Sequence, residues 1–197
     1  SDELALASRR REGEYRWLAL RQQAIRSGHV NGDSLEQMYR VHRLVLELAP
    51  FYLTISPLDV DYVELLFGFD LECKANHNEI IYDALIAETS LAGLLDYPDA
   101  RPTDVQPIFG FCLPGREDVQ VFFEVKTRTS PGQVRRGRYR AEPISVFLTL
   151  RRHGPIQKPD ELPAIFEMLR GHAERLATDK VAPQLLTPIS RAIMNTP

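Results

Sequence analysis

Val63-Glu64-Leu65-Leu66-Phe67-Gly68-Phe69-Asp70-Leu71-Glu72-Cys73-Lys74 is the stretch on which the fold turns. Its odd positions, Val63, Leu65, Phe67, Phe69, Leu71 and Cys73, are all apolar. The even positions hold Glu64, Leu66, Gly68, Asp70, Glu72 and Lys74. Side chains alternate between the two faces of a strand, so a period of two means one dry face and one wet face. A strand of this kind needs sheet partners beside it and helices over its apolar side.

Downstream, Asn76-x-x-Glu79 has the form of a capping box, and Ile80, Ile81, Ala84, Leu85, Leu91, Leu94 and Leu95 continue at helical spacing. Tyr97-Pro98-Asp99 is a stop. Three more strands follow, over residues 105–113, 118–129 and 143–151. In the second of these Val119, Val121, Phe123 and Val125 share a face. Phe67, Phe69, Val121, Phe123 and Phe147 are expected to meet in one sheet core. A helix from Asp160 and a short one after Pro183 close the chain, over residues 159–195.

Upstream, residues 3–27 are rich in Arg, Glu, Gln, Ala and Leu, good helix formers, with Tyr15, Leu18 and Ile25 in a stripe. Ser34-x-x-Gln37 opens a second helix that carries Leu35, Met38, His42, Val45 and Leu48, and Pro50 is expected to end it. Residues 3–50 therefore read as a helical hairpin. The expected order is ααβαβββαα, an α+β chain built on a single, mostly antiparallel four-stranded sheet with helices packed on it. Residues 61–151 form the sheet core with one helix, and 1–197 is read as one domain.

No apolar run approaches the roughly 20 residues that span a bilayer, so no membrane association is expected. Cys73 and Cys112 fall in expected strands as small buried thiols, neither a disulfide framework nor a zinc site. The expected compartment is the cytoplasm. A net charge of −3 does not mark the whole molecule as a nucleic-acid binder, but charge is unevenly spread. From Asp59 to Asp104 there are eleven acidic residues against two basic ones, whereas Lys126 to Arg140 holds six basic residues and no acid.

Two motifs stand out. In Phe122-Phe123-Glu124-Val125-Lys126-Thr127-Arg128-Thr129, Glu124 and Lys126 project from one strand face, where a carboxylate beside an ammonium can hold a divalent cation and orient water. Over about eight residues this segment resembles the E-x-K strand of the PD-(D/E)xK nuclease superfamily. The resemblance implies Mg and a catalytic set of Glu124, Lys126, Asp70 and Glu72, if the first strand lies beside Glu124. The metal-binding aspartate which that family carries on the preceding strand has no counterpart in Ile108-Phe109-Gly110-Phe111. Asp118 is six residues from Glu124 along its own strand, about 20 Å away, too far to share a metal.

The second motif is Arg135-Arg136-Gly137-Arg138-Tyr139-Arg140, with Lys126 and Arg128 at its base. Four arginines around a tyrosine suit an acidic protein partner, another copy of the chain, or a phosphate backbone. The five histidines form no ligand spacing and read as structural or surface residues. The leading expectation is a non-enzymatic interaction domain without a cofactor, with Arg135, Arg136, Arg138, Tyr139 and Arg140 as its binding residues. The metal-dependent nuclease is the alternative.

Overall fold

The structure is a computed structural model that describes residues 3–196. It has two antiparallel sheets rather than one. Three strands, β1 (Glu3–Ala7), β2 (Tyr15–Arg21) and β3 (Ala24–Val30), pair in sequence order, and α1 (Leu35–Tyr52) follows them. β4 (Tyr62–Cys73), α2 (His77–Leu85), β5 (Ile108–Leu113), β6 (Arg116–Lys126), α3 (Pro131–Arg136) and β7 (Glu142–His153) come next. The second sheet has the spatial order β4-β7-β6-β5. From α4 (Glu161–Leu176) the chain stays helical through a wider π-type turn over Ala177–Leu186 into α5 (Thr187–Met194). The expected order ααβαβββαα and its single four-stranded sheet are therefore corrected to βββαβαββαβαα.

The chain forms two compact units, residues 3–61 with 155–167, and residues 62–154 with 168–196. In the first unit, the helix expected over residues 3–27 is a three-stranded meander. The decisive residues are Glu12 and Gly13, which both sit in the left-handed region, at φ 50° and 90°. Left-handed backbone at both central positions makes a two-residue hairpin turn whose twist matches its flanking strands. Arg11 and Glu14 exchange backbone hydrogen bonds of 3.0 and 2.8 Å across it. Helix propensity, worth tenths of a kcal/mol per residue, is overridden by this pairing.

One face of the small sheet receives α1. The Ser27 hydroxyl lies 2.7 Å from His42 Nδ1, and Tyr39 meets Phe166 edge-on with ring centres 5.7 Å apart. Ser34 caps α1 as its sequence suggests, its side chain accepting from Gln37 N at 3.2 Å. Pro50 does not end the helix. It stands within the last turn, and Leu53 N still bonds Ala49 O at 2.9 Å.

In the second unit the alternation of β4 holds along its length, with Val63, Leu65 and Cys73 buried. β7 is the central strand and pairs with β4 on one side and β6 on the other. Ile144, Val146, Leu148 and Leu150 of β7 and Val119 and Val121 of β6 are all fully buried. They share the sheet face that carries Phe67, Phe69 and Phe123. Phe147 lies opposite Gly68, in the other phase, and belongs to the open face rather than this core. A single β-strand has two phases, and in β7 the even positions take the interior.

Candidate binding surfaces

The Glu124–Lys126 motif sits on the open face of β6, where the two side chains pair with each other at 2.8 Å. β4 is not next to β6, because β7 lies between them. Asp70 is level with Ser145 and Lys126, whereas Glu124 is level with Phe147 and Gly68. Two strand spacings of ~4.8 Å and an offset of two residues separate Asp70 from Glu124. Metal–oxygen distances of ~2.1–2.5 Å do not bridge such a gap. Asp70 instead accepts a hydrogen bond from the Ser145 hydroxyl, and Glu72 lies exposed opposite Pro143. Among the described residues no group of three or more His, Cys, Asp or Glu side chains is placed to hold a metal. The convergence that the nuclease resemblance requires is absent from the sheet order itself.

The basic segment from the end of β6 divides into two groups by what its side chains meet. Lys126 is engaged by Glu124, and Arg128 donates to the Pro143 carbonyl and, at 2.9 Å, to the Ser145 hydroxyl. These two are part of the sheet end. Arg135, Arg136, Arg138 and Arg140 are all exposed, and none pairs with a carboxylate among the described residues. Tyr139 among them is half-buried.

The segment that carries them has a defined shape. Ser130 caps α3 through a reciprocal pair, its hydroxyl accepting from Gln133 N while Gln133 Oε1 accepts from Ser130 N at 2.7 Å. Pro131 opens the helix at a position where no amide is needed. Val134 is buried beneath it, and Gly137, at φ 60°, ends it in the left-handed cap that favours glycine. Arg135 and Arg136 thus leave the last helical turn, and Arg138 and Arg140 the irregular connection that leads to β7.

Beneath this loop lies a buried polar cluster, of which the sequence shows the Asn76 cap and a histidine that is structural or surface. Asn76, His77 and Asn78 are each no more than 1% exposed. Asn78 Nδ2 donates to Thr129 O at 3.2 Å, and its Oδ1 accepts from Val105 N at 3.0 Å and the Thr127 hydroxyl at 2.9 Å. Asn76 Nδ2 donates to Pro102 O, and the Thr129 hydroxyl accepts from His77 N at 3.0 Å. His77 Nδ1 accepts from Arg128 N at 3.1 Å, which places the proton of the neutral ring on Nε2. Burial lowers the His77 pKa, against opposing hydrogen bonds from the ring to the Cys73 and Glu142 backbone. The cluster ties residues 102–105 and 127–129 to the start of α2. The available signal was Asn76-His77-Asn78, one residue before Ile80 and Ile81, three polar side chains where the chain enters the core.

The second surface is apolar. Leu85, Ile86, Phe109, Phe111, Phe123, Leu176 and Leu185 line an open cavity of about 400 Å³, with Lys180 and Gln184 among its polar lining residues. Phe109 and Phe111 come from β5, an edge strand, and are 64% and 40% exposed. Cys112 of the same strand is exposed too, which corrects its reading as a core thiol, while Cys73 is buried. No described helix is long and apolar enough to cross a membrane. Comparison with protein-family models, curated proteins and solved structures finds no match to this chain.

Proposed function

We propose that this chain is a non-enzymatic interaction domain of the cytoplasm that binds an anionic macromolecular partner through Arg135, Arg136, Arg138, Tyr139 and Arg140. The observation that carries the reading is that these four guanidinium groups have no carboxylate partner among the described residues, while beside them Lys126 pairs with Glu124 and Arg128 is held by the Pro143 carbonyl and the Ser145 hydroxyl. Four uncompensated positive charges in six residues repel one another, and an anionic partner relieves that repulsion. The capped α3 and the Asn76–Asn78 cluster support the reading further, because a loop held in one shape has less conformational entropy to lose on binding. Two free thiols without a disulfide support the cytoplasmic placement.

The favoured partner is a protein with an acidic segment, since the exposed face around the loop offers one half-buried tyrosine rather than a row of stacking rings. Replacing the four arginines by serine tests this. With a fluorescent polyglutamate peptide, binding is expected to the native chain at low salt, to fall steeply as salt rises, and to vanish in the variant. Single-stranded RNA run in parallel distinguishes the nucleic-acid case, where a loop-dependent affinity well above the peptide's would replace the protein reading. Equal binding by native and variant chains, with the melting temperature unchanged, would remove the loop from function.

A further inference from the structure

Strand β5 has one partner, β6, and its other edge is unpaired. Val125 N donates to Pro107 O at 3.0 Å, which fixes the alternation of the ladder. Pro107 faces β6 with its polar groups, and so do Phe109 and Phe111, two and four residues on. The N–H and C=O groups of Ile108, Gly110 and Cys112 therefore point away from β6, along the free edge. Ile108–Leu113 contains no charge and no proline to guard that edge, and the one irregularity, a register shift between Cys112 and Leu113, falls at its end.

The residue pattern along that edge is symmetric about Gly110. Aromatic Phe109 and Phe111 flank it on one face, and small or aliphatic Ile108 and Cys112 flank it on the other. We propose that β5 pairs with β5 of a second copy of this chain, antiparallel and about a two-fold axis at Gly110, joining two four-stranded sheets into one. Gly110 then exchanges hydrogen bonds with the partner's Gly110, and Ile108 exchanges them with the partner's Cys112. These are the groups that the alternation leaves free. Phe109 comes opposite the partner's Phe111 on the helix side of the sheet, at the close spacing of a non-hydrogen-bonded pair. The rings that stand exposed beside the apolar cavity are thereby covered by their own counterparts. Gly110 has its own reason within the chain, since a Cβ there would stand 2.9 Å from the Phe122 ring that lies over it. An isologous contact of this kind closes on itself and stops at a dimer.

The test uses the full chain. Sedimentation equilibrium across a concentration series is expected to show a monomer–dimer equilibrium, displaced to monomer by Phe109→Lys, with circular dichroism unchanged. Ile108→Cys is expected to give a disulfide-linked dimer on mild oxidation, because hydrogen-bonded partners have Cα atoms ~5.5 Å apart, within disulfide range. The link is expected to disappear when Cys112→Ser is added. A chain that is monomeric at every concentration overturns the proposal. So does a dimer that survives Phe109→Lys without forming the Cys112-dependent link, since its interface is then elsewhere.

Discussion

His77 is buried, and the amide that faces its Nδ1 needs that nitrogen unprotonated. Arg128 N donates to its Nδ1, so a second proton on the ring would face an amide hydrogen and leave that amide without an acceptor. Its pKa in the folded chain therefore lies below the 6.5 of a free imidazole, with burial the first cause. Burial likewise lowers His42 and His172. As pH falls, the unfolded chain takes up protons before the folded one, so stability is complete above about 6.5 and declines from there toward the folded values. The melting temperature is expected to fall on moving from neutral to mildly acidic pH. His77→Gln should be less stable throughout and show a shallower decline, and an unchanged slope would discount His77 as a contributor. Asp118 moves on a different scale. Arg116 and then Arg152 hold its carboxylate down to about 2, so its contribution persists through the whole range in which the histidines titrate.

Among the elements, legibility followed the strength of the local pattern. β4 could be read because six apolar residues alternate without a break, and Ser34 and Asn76 because a side-chain acceptor stands where helix amides lack partners. β1 to β3 were hidden. Their strands carry helix formers such as Arg, Leu and Ala, and their turn is Glu-Gly rather than the more telling Asn-Gly. β7 was found, but Phe147 drew the interior to the wrong phase. Ile144, Val146, Leu148 and Leu150 mark the true one, and only the pairing with β4 and β6 shows it. The hairpin turn gives a sharp test. Gly13→Val forces a branched side chain to φ 90° and should cost ~1–3 kcal/mol, whereas Glu12→Asn, better suited to φ 50°, should stabilise. Thermal melts read both, and hydrogen exchange should report the change within residues 3–30. Two neutral results would dismiss the turn.

At the scale of the whole molecule, the candidate site was half visible. The arginine run is plain in the sequence, but which cations are free is not, because Lys126 and Arg128 differ from the rest only in what the sheet places beside them. The carboxylates pose the same question, since their convergence depends on whether the first strand lies beside Glu124. Glu124, Asp70 and Glu72 do share the open face, yet strand order decides whether they meet, and nothing local encodes that order. β7 comes between β4 and β6 although it is the last strand in the chain. That placement has a consequence for the newborn chain. Synthesis runs from the N-terminus, so β4 leaves the ribosome long before its neighbour exists: Asp70 waits 75 residues for Ser145, and Glu64 waits 87 for Arg151. At ~5–20 residues per second the edge of β4 that β7 will take stays unpaired for several seconds, a window in which a holding chaperone is useful. A chain ended before Glu142 keeps β4, β5 and β6 but loses the strand that joins them. It should be insoluble or lack cooperative melting, and a cooperative transition in that fragment would show that the hairpin of β5 and β6 can organise β4 unaided.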